Sequence, residues 1–429
     1  MWTAASIFIL VYLALIVCSR YRWLITLLGI AAALIFGAIE WQDLYSGVNW
    51  NIIGILFGSL LLADAFVYSR MPEAIADHLI NRSPNLGAAL MLIIVFASAF
   101  SIFMDNVVTV LVMAPIALQV TRRADINPVP VIIGLAISSN LQGMAILIGD
   151  TPSMILAAEN QMDFMDFFYY NNYLHSSYDS WKVGIFWIVQ VGAVAGLLVL
   201  YSYFRSEKRK VPHLRITPVK SWFPLVMVAA AVILLSLAST FDPHFTWFGG
   251  IATVITGAVS YLYVRVRRFH HQIEEQHRFD WETVIFLAGV FILVHMLEKQ
   301  GVISSLVSRF GILEGAHPFL VLTAVVWFSV AVSAFIDNVP YIAAMFPVVH
   351  GMAENLGIPH ELLFLGVLIG SCVGGNITPI GAAANLTAIG ILRREGRPVS
   401  FGSFVRIGLP FTLAATTASY LLLYLLYGP

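Results

Sequence analysis

Long apolar stretches recur along the whole chain, and each is close to the length that crosses a bilayer. A transmembrane helix needs about 20 mostly apolar residues, and runs of this kind follow one another from the first residues to the last. We predict uninterrupted spans at Trp2–Cys18, Trp23–Ile39, Trp50–Tyr68, Val183–Phe204, Trp222–Leu237, Phe248–Val264, Trp281–Leu297 and Phe404–Tyr427. The pattern is typical of a polytopic, all-α membrane protein and leaves no room for a sizeable soluble domain.

Four further apolar regions are interrupted by polar residues, glycine or proline. Regions 87–120 and 318–349 each contain an Asp-Asn pair, and we predict that each folds back as a re-entrant hairpin. Each is followed by a second interrupted segment, at 130–158 or 361–392, which we predict to be a broken transmembrane helix. Interrupted hydrophobic segments at corresponding places in two halves indicate a transporter binding site.

The two interrupted regions are copies of one another. The sequence SIFMDNV at residues 101–107 recurs as SAFIDNV at residues 333–339, which is 232 positions later. The same offset relates Pro115 to Pro347 and Gly143 to Gly375, so we infer two structural repeats. We divide the chain into N-terminal scaffold helices (1–49), repeat 1 (50–204), basic loops with two linking spans (205–280) and repeat 2 (281–429).

Composition and charge place this chain in a membrane and orient it there. Hydrophobic residues make up 59% of the chain and charged residues 11%, and the two cysteines argue against a disulfide framework or a thiolate metal site. If each hairpin enters and leaves on the same side of the membrane, so that it does not cross, then all but three of the 23 Lys and Arg residues lie on one side; the exceptions are Lys182, Lys299 and Arg309. The positive-inside rule then predicts cytoplasmic basic loops, an outside N-terminus and a prokaryotic inner (plasma) membrane.

The orientation obtained from the Lys and Arg residues also predicts how the two repeats are related. Trp50–Tyr68 and Trp281–Leu297 run in opposite directions, so the repeats are inverted and the hairpins dip in from opposite faces. Inverted repeats are the arrangement by which a fixed site achieves alternating access. We predict about 10 or 11 spans plus the two hairpins.

The hairpin pairs are the first candidate ion site. Asp105 with Asn106, and Asp337 with Asn338, place a carboxylate and an amide at tips whose unwound backbone frees carbonyl groups. Such hard oxygen ligands suit Na⁺, and the carboxylates also suit H⁺. Capping of the second helix of each hairpin is an alternative role for the same residues, and both roles are compatible.

The helix breaks are the second candidate site. Their polar residues are Asp150, Thr151 and Ser153 in repeat 1, and Asn376, Thr378 and Asn385 in repeat 2. The half helix after each break offers its N-terminal amides to an anion, and the break frees carbonyls for a cation. Asp150 corresponds to Ala382; it is either a proton carrier or an N-cap.

These motifs resemble the ion transporter superfamily, in the branch of arsenite permeases (ArsB), NhaD-type Na⁺/H⁺ antiporters and the melanosomal P protein. The resemblance rests on the run from Phe103 to Pro115, on 335–340, and on GGNITPIGAAAN at 374–385. Within the first run, Thr109 is a further candidate ligand for the substrate or ion. It implies a scaffold domain, a mobile transport domain with a midplane site, an elevator-like step and often a homodimer. Repeat 1 departs from the family pattern, because residues 142–146 lack the usual threonines and Ser153 replaces an asparagine.

Three transport hypotheses follow. The first is proton-coupled antiport of a monovalent cation, most simply Na⁺, through Asp105, Asp150 and Asp337, since we expect no intramembrane Lys or Arg to pair with these carboxylates. The alternatives are efflux of arsenite or antimonite, and Na⁺-coupled transport of a carboxylate or oxyanion. A non-transporting membrane scaffold is a hypothesis from another class.

The expected partners are the lipid bilayer and a small inorganic ion or small anion. We expect no enzymatic activity, no cofactor beyond Na⁺ or H⁺ as coupling ion, and no nucleic acid. The sequence contains no phosphate-binding loop, so we also expect no use of ATP.

Overall fold

Helices dominate the computed structural model, which describes residues 1–18, 21–170, 182–242, 244–271, 279–307 and 315–428. Three helices precede repeat 1: α1 (Trp2–Val17), α2 (Arg22–Ile35) and the short α3 (Asp43–Ser46). Arg309, on which the predicted orientation partly depends, lies outside the described residues.

The described residues of repeat 1 form seven α-helices. They are α4 (Trp50–Tyr68), α5 (Met71–Asn81), α6 (Leu86–Ser101), α7 (Asn106–Arg123), α8 (Val129–Gly143), α9 (Thr151–Asn160) and α10 (Ile185–Phe204). Between α9 and α10 lie a 3-10 turn, Met165–Phe167, and an antiparallel pair of two-residue strands, β1 (Tyr169–Tyr170) and β2 (Lys182–Val183).

Repeat 2 has the same order of elements. The linking helices are α11 (Phe223–Ser236), α12 (Ala238–Phe241) and α13 (Phe248–His271). Repeat 2 then consists of α14 (Trp281–Lys299), α15 (Val302–Val307), α16 (Pro318–Ser333), α17 (Asn338–Leu356), α18 (His360–Gly374), α19 (Ala383–Arg394) and α20 (Phe401–Tyr427). Each repeat therefore has a hairpin (α6–α7 or α16–α17) and a helix broken near its middle (α8–α9 or α18–α19), which confirms the predicted fold class.

Five helices among the described residues are long and apolar enough to cross a membrane, as judged from length and composition. They are Trp50–Tyr68, Ile185–Phe204, Phe248–Arg267, Trp281–Lys299 and Phe401–Tyr427. The shorter apolar helices include both first hairpin arms, α6 and α16, and both first halves of the broken helices, α8 and α18. These four helices lie in the regions that the interrupted sequence pattern set apart, whereas α1, α2 and α11 are also short although their sequences predict uninterrupted spans.

Several helix ends differ from the predicted ones for local reasons. Helix α2 ends at Ile35 instead of Ile39, because the chain turns at Gly37, whose φ is +68°, a conformation that glycine adopts readily. Val183 belongs to β2 and not to a helix. The sequence pattern missed α5 and α15, which are too short to give a clear periodic signal.

Helix α4 lies in close contact with α13. A Cβ added to Gly58 would lie 2.2 Å from the backbone of Thr253, and one added to Gly250 would lie 2.7 Å from the carbonyl oxygen of Asn51. Small residues let helix backbones approach closely inside a membrane, where apolar burial supplies no driving force. This pairing fixes the position of α4, which lines one side of the candidate site.

Candidate functional site

Both hairpin tips are organised by an aspartate that caps the second helix. One oxygen of Asp105 accepts from the amides of Val107, at 2.8 Å, and Val108, at 3.2 Å. One oxygen of Asp337 accepts from the amide of Val339 at 3.1 Å. The capping role is therefore present at both tips. Because these bonds use only Oδ1, Oδ2 of each carboxylate is left for another contact.

Asn106 links the tip of hairpin 1 to the helix break. Its side chain is buried; its Oδ1 accepts from the Ser101 hydroxyl at 2.6 Å, and its Nδ2 donates to Asp150 Oδ2 at 2.9 Å. The amide lies directly against Gly143, where an added Cβ would be 2.4 Å from Asn106 Oδ1. Glycine at this position therefore gives the amide the room it needs to reach Asp150.

Asp150 and Asp105 line one small cavity between α4 and the hairpin. Asp150 also caps α9, since its Oδ1 accepts from the Thr151 amide at 2.9 Å. The cavity, which Thr151 and Leu60 also line, has a volume of about 20 Å³, enough for a single water-sized species. Neither Asp105 nor Asp150 forms an ion pair with any residue that the structure describes. The pair can thus offer negative charge to a small cation or proton.

Two other predicted ligands, Thr109 and Ser153, lie in the first turns of α7 and α9. Both side chains are fully buried, and neither hydroxyl has a hydrogen-bond partner within the described part of the chain. A buried hydroxyl without a partner costs about 1–3 kcal/mol. Such groups call for a specific explanation, although neither residue lines the small cavity.

The tip of hairpin 2 is different, because its carboxylate faces an arginine. Nη1 of Arg22, the first residue of α2, lies 3.9 Å from Asp337 Oδ2. The premise that none of the three carboxylates has a basic partner is therefore wrong for Asp337. Arg22 was missed because it directly precedes the predicted span Trp23–Ile39. The neighbouring Asn338 amide points to Cys372 Sγ at 4.0 Å.

The predicted ligands of the second break form a buried amide cluster that joins the two repeats. Asn140 Nδ2 donates to Asn376 Oδ1 at 2.8 Å and to Asn385 Oδ1 at 3.2 Å. The Asn376 amide donates to the Ile137 carbonyl, and the Asn385 amide donates to carbonyls of its own break. The Thr378 hydroxyl donates to the Ala334 carbonyl. These groups are occupied by the protein itself.

The structure therefore does not gather all the predicted ligands into one set. Asp105, Asn106, Asp150 and Thr151 converge, whereas Asp337 and Asn338 have separate partners. Sequence reasoning also missed Asn140. The offset of 232 positions pairs Asn140 with Cys372. An intramembrane amide with no amide at the equivalent position of the other repeat is the sequence signal that could have identified it.

A larger cavity adjoins the small one, and a comparable cavity lies in repeat 2. The first, of about 430 Å³, shares Leu60 and Ala63 with the small cavity and carries Asp64, Glu73 and Asp280 on its wall. The second, of about 640 Å³, is lined by Glu159, Glu298, His350 and Glu354. The equivalent prolines, Pro115 and Pro347, line one cavity each. An acidic recess thus lies beside the proline-containing hairpin helix of each repeat.

Paired repeats with re-entrant hairpins, broken helices and a carboxylate-lined cavity define the class of secondary transporters. A family model described as "CitMHS: Citrate transporter" matches residues 11–370. The chain therefore belongs to the CitMHS citrate transporter family and is an integral membrane protein. Among its curated relatives is the "Uncharacterized transporter Rv2684" of Mycobacterium tuberculosis, 28% identical over 443 residues, which is 99% of this chain and 98% of that protein.

Other curated relatives match this chain over almost its whole length. The chain is 26% identical to a "46 kDa membrane protein" of Mycobacterium leprae over 435 residues, which is 99% of this chain and 98% of that protein. It is 25% identical to the human "P protein" over 497 residues, which covers 96% of this chain and 58% of the P protein. The resemblance to the P protein is thus confirmed.

The fold also matches a solved transporter. The crystal structure of the YdaH transporter of Alcanivorax borkumensis, described as having an unusual topology, aligns with 90% of this chain and 87% of its own at a TM-score of 0.59. Sequence identity is 14%, so this likeness shows the shared fold alone.

Proposed function

We propose that this protein exchanges a monovalent cation, most simply Na⁺, for protons. The observation that carries the proposal is the small cavity in which Asp105 and Asp150 meet with no ion-pair partner among the described residues. Uncompensated carboxylates inside a membrane protein are costly and mark ion or proton pathways. A bound Na⁺ or a bound proton offsets one of the two negative charges, and the cavity has room for one small species.

The two ions therefore compete for the same oxygens. Asp105 Oδ2 and the oxygens of Asp150 are the charged ligands, with the Thr109 and Ser153 hydroxyls as neutral candidates. Oxygen ligands suit a hard cation. Asn106 donates its amide hydrogen to Asp150, so it orients the carboxylate and is not itself a cation ligand through that nitrogen.

Ion-coupled transport of a carboxylate is the second candidate. The family description favours it, and so does one local difference between the repeats: α9 is capped by the Asp150 carboxylate, whereas α19 begins after Ala382 with no side-chain cap. An open helix N-terminus favours an anion. Arsenite efflux has less support. Of its five candidate ligands, Asn338 has only a 4.0 Å contact with Cys372, and the other four, Asn106, Asn376, Thr378 and Asn385, form hydrogen bonds within the protein.

Everted membrane vesicles with a pH-sensitive dye separate these functions. In energised vesicles, Na⁺ or Li⁺ should collapse the proton gradient, and Asp105→Asn and Asp150→Asn should each abolish this response. Asp125→Asn, in the loop after α7, is the matched control and should respond normally. A wild-type response to citrate but not to Na⁺ would replace antiport with carboxylate transport. No response to any of these solutes would contradict both proposals.

For the membrane arrangement, we propose a prokaryotic inner membrane with the N-terminus outside and the basic loops cytoplasmic. The positive-inside distribution supports this orientation. Cys18, exposed at the end of α1, then lies on the cytoplasmic side. A membrane-impermeant maleimide should label it in everted vesicles and not in intact cells; the reverse pattern would overturn the orientation. An elevator-like movement and a homodimer are further proposals, which rest on the family resemblance.

A further inference from the structure

The two hairpin tips have equivalent sequences but different neighbours. At the tip of hairpin 1, Met104 belongs to an apolar cluster against which Leu225 and Val228 of α11 pack. At the tip of hairpin 2, Asp337 instead faces the guanidinium of Arg22, 3.9 Å away. Hairpin 1 thus has an apolar contact with its neighbouring helix, whereas hairpin 2 has a polar one.

Arg22 is held in place by residues of α14. Its Nη2 donates to the Thr283 hydroxyl at 2.7 Å, and that hydroxyl donates to Asp280 Oδ2 at 2.6 Å. Its guanidinium also lies 5.1 Å from the centre of the Phe286 ring, within the range of a cation–π interaction. These contacts with α14 therefore fix the orientation of the planar guanidinium that faces Asp337.

A second N-terminal helix contacts the same tip. The hydroxyl of Tyr12, in α1, donates to the carbonyl oxygen of Pro340 in the first turn of α17. Helices α1 and α2 precede both repeats. Two polar contacts therefore join this N-terminal pair to hairpin 2, one to a side chain and one to the backbone.

The Arg22–Asp337 contact is reversible by its nature. The two side chains are 27% and 32% exposed and their charged atoms are 3.9 Å apart, so the pair is neither fully buried nor tightly bonded and contributes little to global stability. An interaction of this strength suits a position that must open and close.

We propose that Arg22 and Tyr12 are positioning residues that hold the tip of hairpin 2 against α1, α2 and α14. Arg22 acts through Asp337, and Tyr12 acts through the backbone of Pro340. Release of both contacts frees the tip to move relative to the N-terminal helices. The inference concerns where the tip lies and does not depend on which solute is carried.

The test measures the accessibility of the tip. Ile336→Cys, next to Asp337, is introduced into a Cys18→Ser background, where the remaining Cys372 is buried, and its rate of modification by a maleimide is followed in purified protein. Arg22→Gln and Tyr12→Phe should each raise this rate several-fold. Arg22→Lys should keep part of the protection, so its modification rate should lie between those of the unchanged protein and Arg22→Gln. The double variant Arg22→Asp/Asp337→Arg, which exchanges the two charges, should be modified more slowly than either Arg22→Asp or Asp337→Arg alone.

Arg209→Gln is the control, because Arg209 is paired with Glu207 at 2.8 Å on the surface and should not alter the rate. Transport by the same variants should show a changed maximal rate with little change in KM, since the contacts set the position of the tip. Unchanged modification rates in both Arg22→Gln and Tyr12→Phe would overturn the proposal. A charge-exchange variant that is modified as fast as the two single variants would also overturn it. Tyr12→Phe removes only a hydroxyl, so it stays informative if the arginine variants unfold. Modification is measured without substrate, so its outcome is independent of the antiport proposal.

Discussion

Gly143→Ala should weaken cation binding although it changes no polar group. The added Cβ would lie 2.4 Å from Asn106 Oδ1 and 3.0 Å from Asn106 Nδ2. Carbon and oxygen atoms that are not bonded do not approach this closely, so the amide must retreat by at least about 0.6 Å. The hydrogen bond from Asn106 Nδ2 to Asp150 Oδ2, now 2.9 Å, would then stretch to the limit of a hydrogen bond.

The size of the effect follows from that bond. A hydrogen bond to a charged group contributes about 1.5–3 kcal/mol, and each 1.4 kcal/mol changes an equilibrium constant about tenfold. Because the amide stabilises the ionised form of Asp150, its loss favours the protonated carboxylate over the carboxylate that binds Na⁺. The apparent KM for Na⁺ should therefore rise about 10- to 100-fold.

The assay is Na⁺-dependent collapse of a proton gradient in everted vesicles, measured over a range of Na⁺ concentrations at fixed pH. Gly390→Ala is the matched control, because an added Cβ there meets no atom of the described residues within 4 Å. Thermal unfolding in detergent checks that both variants fold. A Gly143→Ala protein that folds and keeps its KM within about twofold of the unchanged protein would refute the assigned role of Asn106.

Three further predictions concern stability and ligand identity. Asn140→Ala should lower stability by about 2 kcal/mol or more, seen as a lower Tm, because it leaves two buried amide oxygens without a donor. The backbone N–H of Glu40 and the ammonium of Lys299 hold the pKa of Asp43 below its usual range. Asp43→Asn should thus lower Tm at neutral pH. The Tm values of this variant and of the unchanged protein should converge below about pH 4, where the carboxylate becomes protonated. Thr109→Val should keep or raise Tm, since the buried hydroxyl has no partner within the described chain, but should raise the KM for Na⁺ about tenfold if the hydroxyl is a ligand.

These three predictions fail in different ways. An unchanged Tm for Asn140→Ala would mean that the amide cluster relaxes without cost. A constant Tm difference between pH 7 and pH 3 for Asp43→Asn would contradict the ionised contact with Lys299. A Thr109→Val protein with unchanged KM would remove that hydroxyl from the ligand set.

Much of the fold was predictable because the two repeats share recognisable motifs at a constant offset in the sequence. The DNV motifs at 105–107 and 337–339 each mark the start of a helix capped by the aspartate, and the polar interruptions mark the ends of α8 and α18. The hydrophobic pattern, with its interruptions, therefore specified the hairpins and broken helices. Helix α5 was missed because its 11 residues are too short for their pattern to be distinguished from a loop.

The site was less predictable, because its composition depends on contacts between distant segments. Asn106 and Asp150 are 44 positions apart, and Arg22 is hundreds of positions before Asp337. Local patterns nominate polar residues but do not say which will satisfy one another. For this reason the sequence predicts Asn376 and Asn385 as ligands, whereas in the structure their side-chain oxygens accept hydrogen bonds from Asn140 of the other repeat.

The most direct test of the central claim is proton release on addition of Na⁺ to purified protein in weakly buffered detergent solution. If Na⁺ and H⁺ compete for Asp105 and Asp150, NaCl should release protons in a saturable manner, whereas choline chloride should not. Asp105→Asn and Asp150→Asn should abolish the release, and Asp125→Asn should preserve it. Undiminished proton release in either cavity variant would contradict the assignment of the ion site.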